Sequence, residues 1–364
     1  MIEKWTDLSE FLSRDHVYSS TPTRLDCGGS TDHRLIGLLC RSWQPATANI
    51  AIDLRAHVSL RPHTSGRILV DISGVGKQEF IAPHLPLTGP FALISALICY
   101  FGVHGFRVDI RTDFPFQSGL GGSGAVAIAL IGAIYTALNR EAPHPRAFPS
   151  IVQIAHNLED SLFRNTGMQD QAAALYGGAN LWEWHYADRL NFRRRPLVSD
   201  LSSLNAHILL AYTGLPHLQT QNGSQMLGKF KEAGALGILV SISDQARRFA
   251  ESLRCQDYRS AGESLTAEYN LRSTLVPVLD DLELIAMATN AQCGVSVTGR
   301  GGGGCIWAMG EKRDIAKLKK QWISTFERRK LGFLLPVKVS GSGLEVGFKR
   351  ASKVPVAARS REYE

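Results

Sequence analysis

Apolar and polar residues alternate from Asn49 to Leu60, with β-branched side chains among the apolar ones, and Arg67 to Ile72 and Phe106 to Ile110 repeat the pattern over shorter runs. A period of two sends successive side chains to opposite faces, so these segments are predicted strands. Elsewhere the period lengthens. Pro90 to Tyr100 and Gly124 to Leu138 read as helices, and the second is apolar nearly all round, which implies burial on most sides. A helix over Phe148 to Phe163, a glycine-containing loop, a helix from Gln169 and a strand over Asn180 to His185 follow, and the Arg193-Arg-Arg-Pro196 run breaks the pattern.

Beyond that break the character of the chain changes. A strand at His207 to Tyr212 precedes long helical patterns at Ser224 to Leu253, Tyr258 to Ser273 and Val276 to Asn290. A strand at Gly294 to Thr298 enters a glycine run, and a β–α–β series completes the chain with Cys305 to Met309, a basic helix and a closing strand near Leu344 to Phe348. The shift near residue 200 predicts two α+β domains, residues 1–200 and 201–364.

Composition narrows the classes. With 364 residues, 44% hydrophobic, the chain has length for two cores and is neither disordered nor a fibrous repeat. Its longest apolar stretches, Phe91 to Val103 and Gly124 to Leu138, fall short of the ~20 residues that cross a bilayer, so no membrane span is expected. Met1 to Asp7 carries mixed charge and no apolar core of an export signal, which leaves a cytoplasmic location as the expectation. The net charge of +7 raises the question of nucleic acid. Its distribution answers against it: Glu311 to Lys330 holds eight Lys/Arg and three Asp/Glu, Gly347 to Glu364 holds five and two, and the body is near neutral. No aromatic interleaving accompanies either segment, so no nucleic-acid partner is expected. The six cysteines form no C-x-x-C pair and the histidines no H-x-x-x-H pair, so reduced thiols and no all-protein metal cage are expected.

The glycines carry the chemistry. Pro115-Phe-Gln-Ser-Gly-Leu-Gly-Gly-Ser-Gly-Ala125 joins a strand to the apolar helix. Glycines let the backbone approach a phosphate, and the first helical turn offers unpaired N–H groups and the positive dipole end. Pro115, Ser118, Gly119, Leu120, Gly121, Gly122, Ser123, Gly124 and Ala125 are therefore the candidate nucleotide cradle, with the Ser123 hydroxyl for a phosphate or its magnesium ion. Gly119, Gly121 and Gly124 also satisfy G-x-G-x-x-G, but the helix runs into Ala142-Pro-His-Pro-Arg-Ala-Phe-Pro149 instead of a second parallel strand, which excludes a dinucleotide fold. Gly223 to Lys229 misses a P-loop because Phe230 replaces the required Ser/Thr. A second loop, Thr298-Gly-Arg-Gly-Gly-Gly-Gly304, has five glycines in six positions, more than a hairpin turn needs, and close approach of backbone to a ligand accounts for it better. Two such loops in two domains suggest a nucleotide held where they meet.

In their order these segments resemble the GHMP kinase superfamily: Thr21-Pro-Thr-Arg-Leu-Asp-Cys-Gly-Gly-Ser-Thr-Asp32 is similar to its first motif, Pro115 to Ala125 to its phosphate loop, and Thr298 to Cys305 to its late glycine loop. Gly167-Met-Gln-Asp-Gln-Ala-Ala-Ala-Leu-Tyr-Gly-Gly178 and Tyr212-Thr-Gly214 extend the likeness toward the D-glycero-D-manno-heptose 7-phosphate kinase branch. The resemblance implies an N-terminal domain like ribosomal protein S5 domain 2, a ferredoxin-like C-terminal domain and ATP between them. It places Asp170 at the catalytic aspartate, Arg24 beside the reacting hydroxyl, Ser123 and Glu159 at Mg2+, and Gly28, Gly29, Asp32, Gly301 and Gly302 at the substrate. The implied activity is transfer of a phosphoryl group to a sugar hydroxyl, that of a heptose 7-phosphate or a relative, by a monomer or homodimer. Galactokinase- and fucokinase-like enzymes and a non-catalytic sensor on the same fold are the alternatives. Phosphoryl transfer needs an aligned acceptor, neutralised phosphates and a proton acceptor, and these residue types can supply them. Three departures stand out: Gly122 and Gly124 replace hydroxyl residues, Arg300 replaces a small one, and the first motif is one residue shorter between Arg24 and Asp32.

Overall fold

The computed structural model describes residues 5–29, 34–39, 43–163, 167–185, 191–216, 228–229, 231–275, 281–299 and 301–350. Among these residues two main sheets form; the larger buried cluster runs from the larger sheet onto one face of the smaller, and a second cluster lies on the smaller sheet's other face. The larger is built from β2 (Asp15–Cys27), β3 (Ala46–Pro62), β4 (Arg67–Ile72), β5 (Gly76–Ile81), β7 (Phe106–Thr112), β8 (Ala179–His185), β9 (Asn191–Pro196) and β14 (Glu345–Arg350). A short parallel pair, β1 (Thr6–Asp7) and β6 (Val103–His104), stands apart from it.

The 17-residue β3 organises the larger sheet. Its second half pairs with β7, its first half with β8, and the stretch from Ala48 to Leu60 with β2. β2 carries Pro22, which has no N–H for the ladder, and the register shifts between Pro22 and Thr23. Helices α3 (Ala92–Phe101), α4 (Gly122–Asn139), α5 (Phe148–Phe163) and α6 (Gln169–Tyr176) complete this domain after the short α1 (Ser9–Arg14) and α2 (Arg34–Leu39). The apolar α4 is the core helix: it is long and apolar enough to pass for a membrane span, and most of it is buried inside the protein.

The smaller sheet is antiparallel, in the order β11 (Gly294–Val297), β12 (Cys305–Met309), β10 (Ile208–Tyr212) and β13 (Phe333–Leu335). Its helices are α7 (Ala235–Arg254), α8 (Tyr258–Leu275), α9 (Leu282–Asn290) and α10 (Lys312–Arg329). The amphipathic α10 buries Leu318, Trp322 and Phe326 and turns its lysines outward, so the basic segment is a solvated helix face.

Two expectations need correction. The chain does not stay in the second domain to its end: β14 pairs antiparallel with β2, Glu345 opposite Ser20 and Arg350 opposite Asp15. The preceding strap is tied to the same sheet, the Ser340 amide donating to the Ala51 carbonyl and the Asp53 amide to the Lys338 carbonyl. Arg193 to Pro196, expected as a break, is part of β9. Arg195 pairs with Glu183 across the strands, and the Arg194 guanidinium lies over the Tyr176 ring of α6 at 4.9 Å. The helical pattern expected from Ser224 begins in the described residues at Ala235 for α7, and Val276 to Asp280 lie outside them.

Candidate active site

Strand β2 delivers Arg24 to the start of α4. The guanidinium, 3% exposed, donates from Nε to Asp170 Oδ1 at 2.8 Å and from one terminal nitrogen to the Gly119 carbonyl at 2.8 Å. That nitrogen also stands 3.3 Å from Asp26 Oδ1. Asp170 occupies the first turn of α6, where the helix dipole favours a negative charge. The two helix starts touch: a Cβ at Gly121 would sit 3.0 Å from Asp170 Cγ, and one at Gly124 2.8 Å from Asp170 Cβ. A Cβ at Gly122 would meet the Phe114 ring at 2.7 Å. The missing hydroxyl residues at 122 and 124 thus follow from packing, because this backbone lies against Phe114 and Asp170 too closely for a side chain.

Glu159 comes from α5 and is 5% exposed. It accepts hydrogen bonds from the Ser123 hydroxyl and from Gln171 Nε2. Burial, reinforced by the negative charge of Asp170, pushes its carboxyl up to about 7 despite those two bonds. One carboxylate and one hydroxyl beside a phosphate loop suit Mg2+, which takes one or two carboxylates plus phosphate oxygens and water. Among the described residues no group of three or more His, Cys, Asp and Glu could hold a metal unaided.

The late glycine loop packs on the first. Thr298 Oγ1 and the Cys305 amide both donate to the Ser118 carbonyl at 2.9 Å, and a Cβ at Gly119 would lie 2.8 Å from the Thr298 carbonyl oxygen. Gly299, Gly301, Gly302, Gly303 and Gly304 all have positive φ, between 63° and 112°, so the glycine run is required residue by residue. Gly301 and Gly302 stand in this loop, whose described neighbours include Gly119 and the Leu215–Pro216 turn.

Not every expected residue presents itself to a ligand. The Ser118 carbonyl is occupied by Thr298 and Cys305. Leu120 is fully buried and its carbonyl accepts from the Arg24 amide, while Ala125 is fully buried with its amide bonded to Gly121 O. Pro115 is half-buried at the loop entrance. Gly28 is a packing glycine, because a Cβ there would meet Ala246 Cβ and Ala46 O at 2.8 Å. Gly29 is nearer the chemistry: its Cβ position is 2.2 Å from Asp26 Oδ2 and 2.5 Å from Gln169 Nε2. Asp32 and Arg300 lie outside the described residues. Sequence reasoning missed Asp26, Gln169 and Gln171. The signal was available, since Asp26 shares a strand face with Arg24 two residues away and the two glutamines flank Asp170.

Residues 90–178 match the family model described as GHMP kinases N terminal domain. That match takes in the phosphate loop, Glu159 and Asp170, within a fold of mixed helix and sheet. The chain's particular likeness runs to sugar and mevalonate kinases. It is 25% identical over 307 residues to the D-glycero-alpha-D-manno-heptose 7-phosphate kinase of Campylobacter jejuni, covering 80% of this chain and 88% of that one. It is 26% identical over 303 residues to the mevalonate kinase of Pyrococcus abyssi, covering 75% and 85%. A D-glycero-D-manno-heptose 1-phosphate kinase from Bacteriodes thetaiotaomicron superposes with a TM-score of 0.71 at 20% identity, covering 91% of this chain and 98% of that one. The Lactococcus lactis galactokinase complexed with galactose gives 0.69 at 18%, covering 93% and 98%. At these identities the structural likeness speaks for the fold alone.

Proposed function

We propose that this protein is an ATP- and Mg2+-dependent kinase that phosphorylates a sugar hydroxyl, the anomeric hydroxyl of D-glycero-D-manno-heptose 7-phosphate or of a related sugar. The observation that carries the reading is the Asp170 carboxylate, held by Arg24 against the first turn of α4 and beside the Glu159–Ser123 pair. Arg24 occupies Oδ1, which leaves Oδ2 to accept the proton of the incoming hydroxyl. The same guanidinium lies where it stabilises negative charge on the attacking oxygen. Amides at the start of α4 receive phosphate oxygens, and the α4 dipole adds to their pull. Glu159 and Ser123 would hold Mg2+, which when bound neutralises phosphate charge. Asp26, Gln169 and the Gly29 turn converge on the acceptor side of Asp170 and supply the polar groups that a sugar requires.

An ADP-release assay across heptose 7-phosphates, galactose, fucose and mevalonate, with NMR of the product, tests this reading. Turnover of a heptose phosphate at its anomeric position is the expected result. Asp170→Asn should lower kcat by about a thousandfold while leaving MgATP affinity in place. Turnover within a few-fold of wild type in that variant would remove Asp170 from its role. Tight MgATP binding without turnover of any sugar would instead favour a sensor.

A further inference from the structure

Besides the late glycine loop, helix α8 brings a buried ion pair from the second domain to the site. Glu268 and Arg272 stand one turn apart on α8, 1% and 7% exposed, with Arg272 Nε 3.1 Å from Glu268 Oε1. A buried ion pair is weak evidence of stability, because apolar residues of similar size often serve as well. What each partner does with its remaining valence is more telling. Arg272 donates to the Gly299 carbonyl at 2.7 Å, to the Val297 carbonyl at 3.3 Å and to Ser296 Oγ at 2.9 Å. Glu268 accepts from the Gly28 amide and lies within reach of the Asp26 charge. Arg272 therefore ends on the late glycine loop and Glu268 on the first motif.

Each contact leads to a different half of the site. Gly299 backs on Gly119, the ideal Cβ position of the first lying 3.2 Å from the carbonyl oxygen of the second, and the neighbouring Thr298 ties down Ser118. The Gly28 turn continues into Gly29, which packs on Asp26 and Gln169 beside Asp170.

Building on the kinase reading above, we infer that Glu268 and Arg272 are positioning residues for phosphoryl transfer, Arg272 setting the nucleotide loops and Glu268 setting the sugar-side turn. Neither touches reacting atoms. They act by holding two backbone segments whose relative placement fixes the line between donor phosphate and acceptor hydroxyl. One turn of one helix thereby registers the late glycine loop against the first motif.

The test uses the full chain, MgATP titration calorimetry and steady-state kinetics on the sugar that wild type turns over. Arg272→Met should raise the MgATP Kd and KM about tenfold and leave the sugar KM within about twofold, with Arg272→Lys recovering part of the loss. Glu268→Met should do the reverse, and Glu268→Gln, which keeps an acceptor for the Gly28 amide, should recover it. Variants that shift both parameters together, or lower only the melting temperature, would reduce the pair to a structural role and overturn the inference. If a single variant does not fold, Glu268→Met/Arg272→Met leaves no unpaired buried charge and must show both defects. Should wild type turn over no sugar, the kinase reading fails on its own, and equal MgATP affinity in wild type and Arg272→Met still overturns the inference.

Discussion

Glu159→Gln should make the protein more stable and inactive. Glu159 has a carboxyl that titrates at 4.5 in an open chain and at about 7 when folded. Between those values the folded state keeps a proton that the unfolded state has released, so stability falls as pH rises through the window. The slope is at most about 1.4 kcal/mol per pH unit, and the whole window amounts to about 3 kcal/mol. Above about pH 7 the full penalty is present, and below about pH 4.5 it vanishes. Glutamine does not ionise, has nearly the same shape, and keeps partners in Ser123 and Gln171. Chemical denaturation without Mg2+ should then show the variant ahead by up to about 3 kcal/mol near pH 8, with the gap closing toward pH 5. ADP release should fall at least about a hundredfold, because the neutral amide no longer neutralises a divalent ion. A variant less stable than wild type near pH 8, or a gap that does not change with pH, would refute a buried, cation-seeking carboxylate.

The other predictions address the loops and the chain's return. Arg24→Met should cut kcat by about a hundredfold with a smaller change in either KM, measured by steady-state kinetics, since it frees both Asp170 and the Gly119 carbonyl. Gly124→Ser adds a hydroxyl to the phosphate loop, yet its Cβ would lie 2.8 Å from Asp170 Cβ, so activity should drop and not rise in the same assay. Thr298→Val removes the bond to the Ser118 carbonyl and should weaken MgATP affinity several-fold by calorimetry. A fragment ending at Ala206 should fail to give a cooperative unfolding transition, because it lacks the strap and β14.

Local chemistry made much of this protein legible from its residues alone. The helix at Phe148–Phe163 and the strand at Arg67–Ile72 declare themselves by period, and the strand at Cys305–Met309 as a short apolar run. The glycine loops do so because their positive φ values and close approaches leave few other residue types possible. What stayed hidden depends on partners distant in the chain. β14 is an ordinary short strand whose sheet is chosen by pairing with β2, some 330 residues earlier by register. The arginines of β9 looked like a break because nothing local says that Glu183 and Tyr176 lie opposite them. The Glu268–Arg272 pair reads locally as an ordinary helix-face ion pair, and only the fold brings it to Gly28 and Gly299.

The returning strap also governs how the chain must come together. Leu344 N donates to the carbonyl of Leu175 near the end of α6, Arg55 grips the Gly343 carbonyl at 2.7 Å, and a Cβ on Gly177 would strike the strap backbone at 2.4 Å. The helix that carries Asp170 is therefore buttressed by residues 342–344, which the chain supplies long after the helix itself. During translation the first sheet emerges with an open edge along β2, which stays uncovered until β14 has left the ribosome. Such sequence-distant pairing slows folding and leaves that edge open to wrong partners in the interval. The second sheet, whose four strands lie within residues 208–335, packs Leu210, Trp307 and Met309 into a buried cluster that it shares with the sheet to which the strap returns. The helix that carries Asp170 thus gains this support only after the chain has passed through the second sheet and returned to the first.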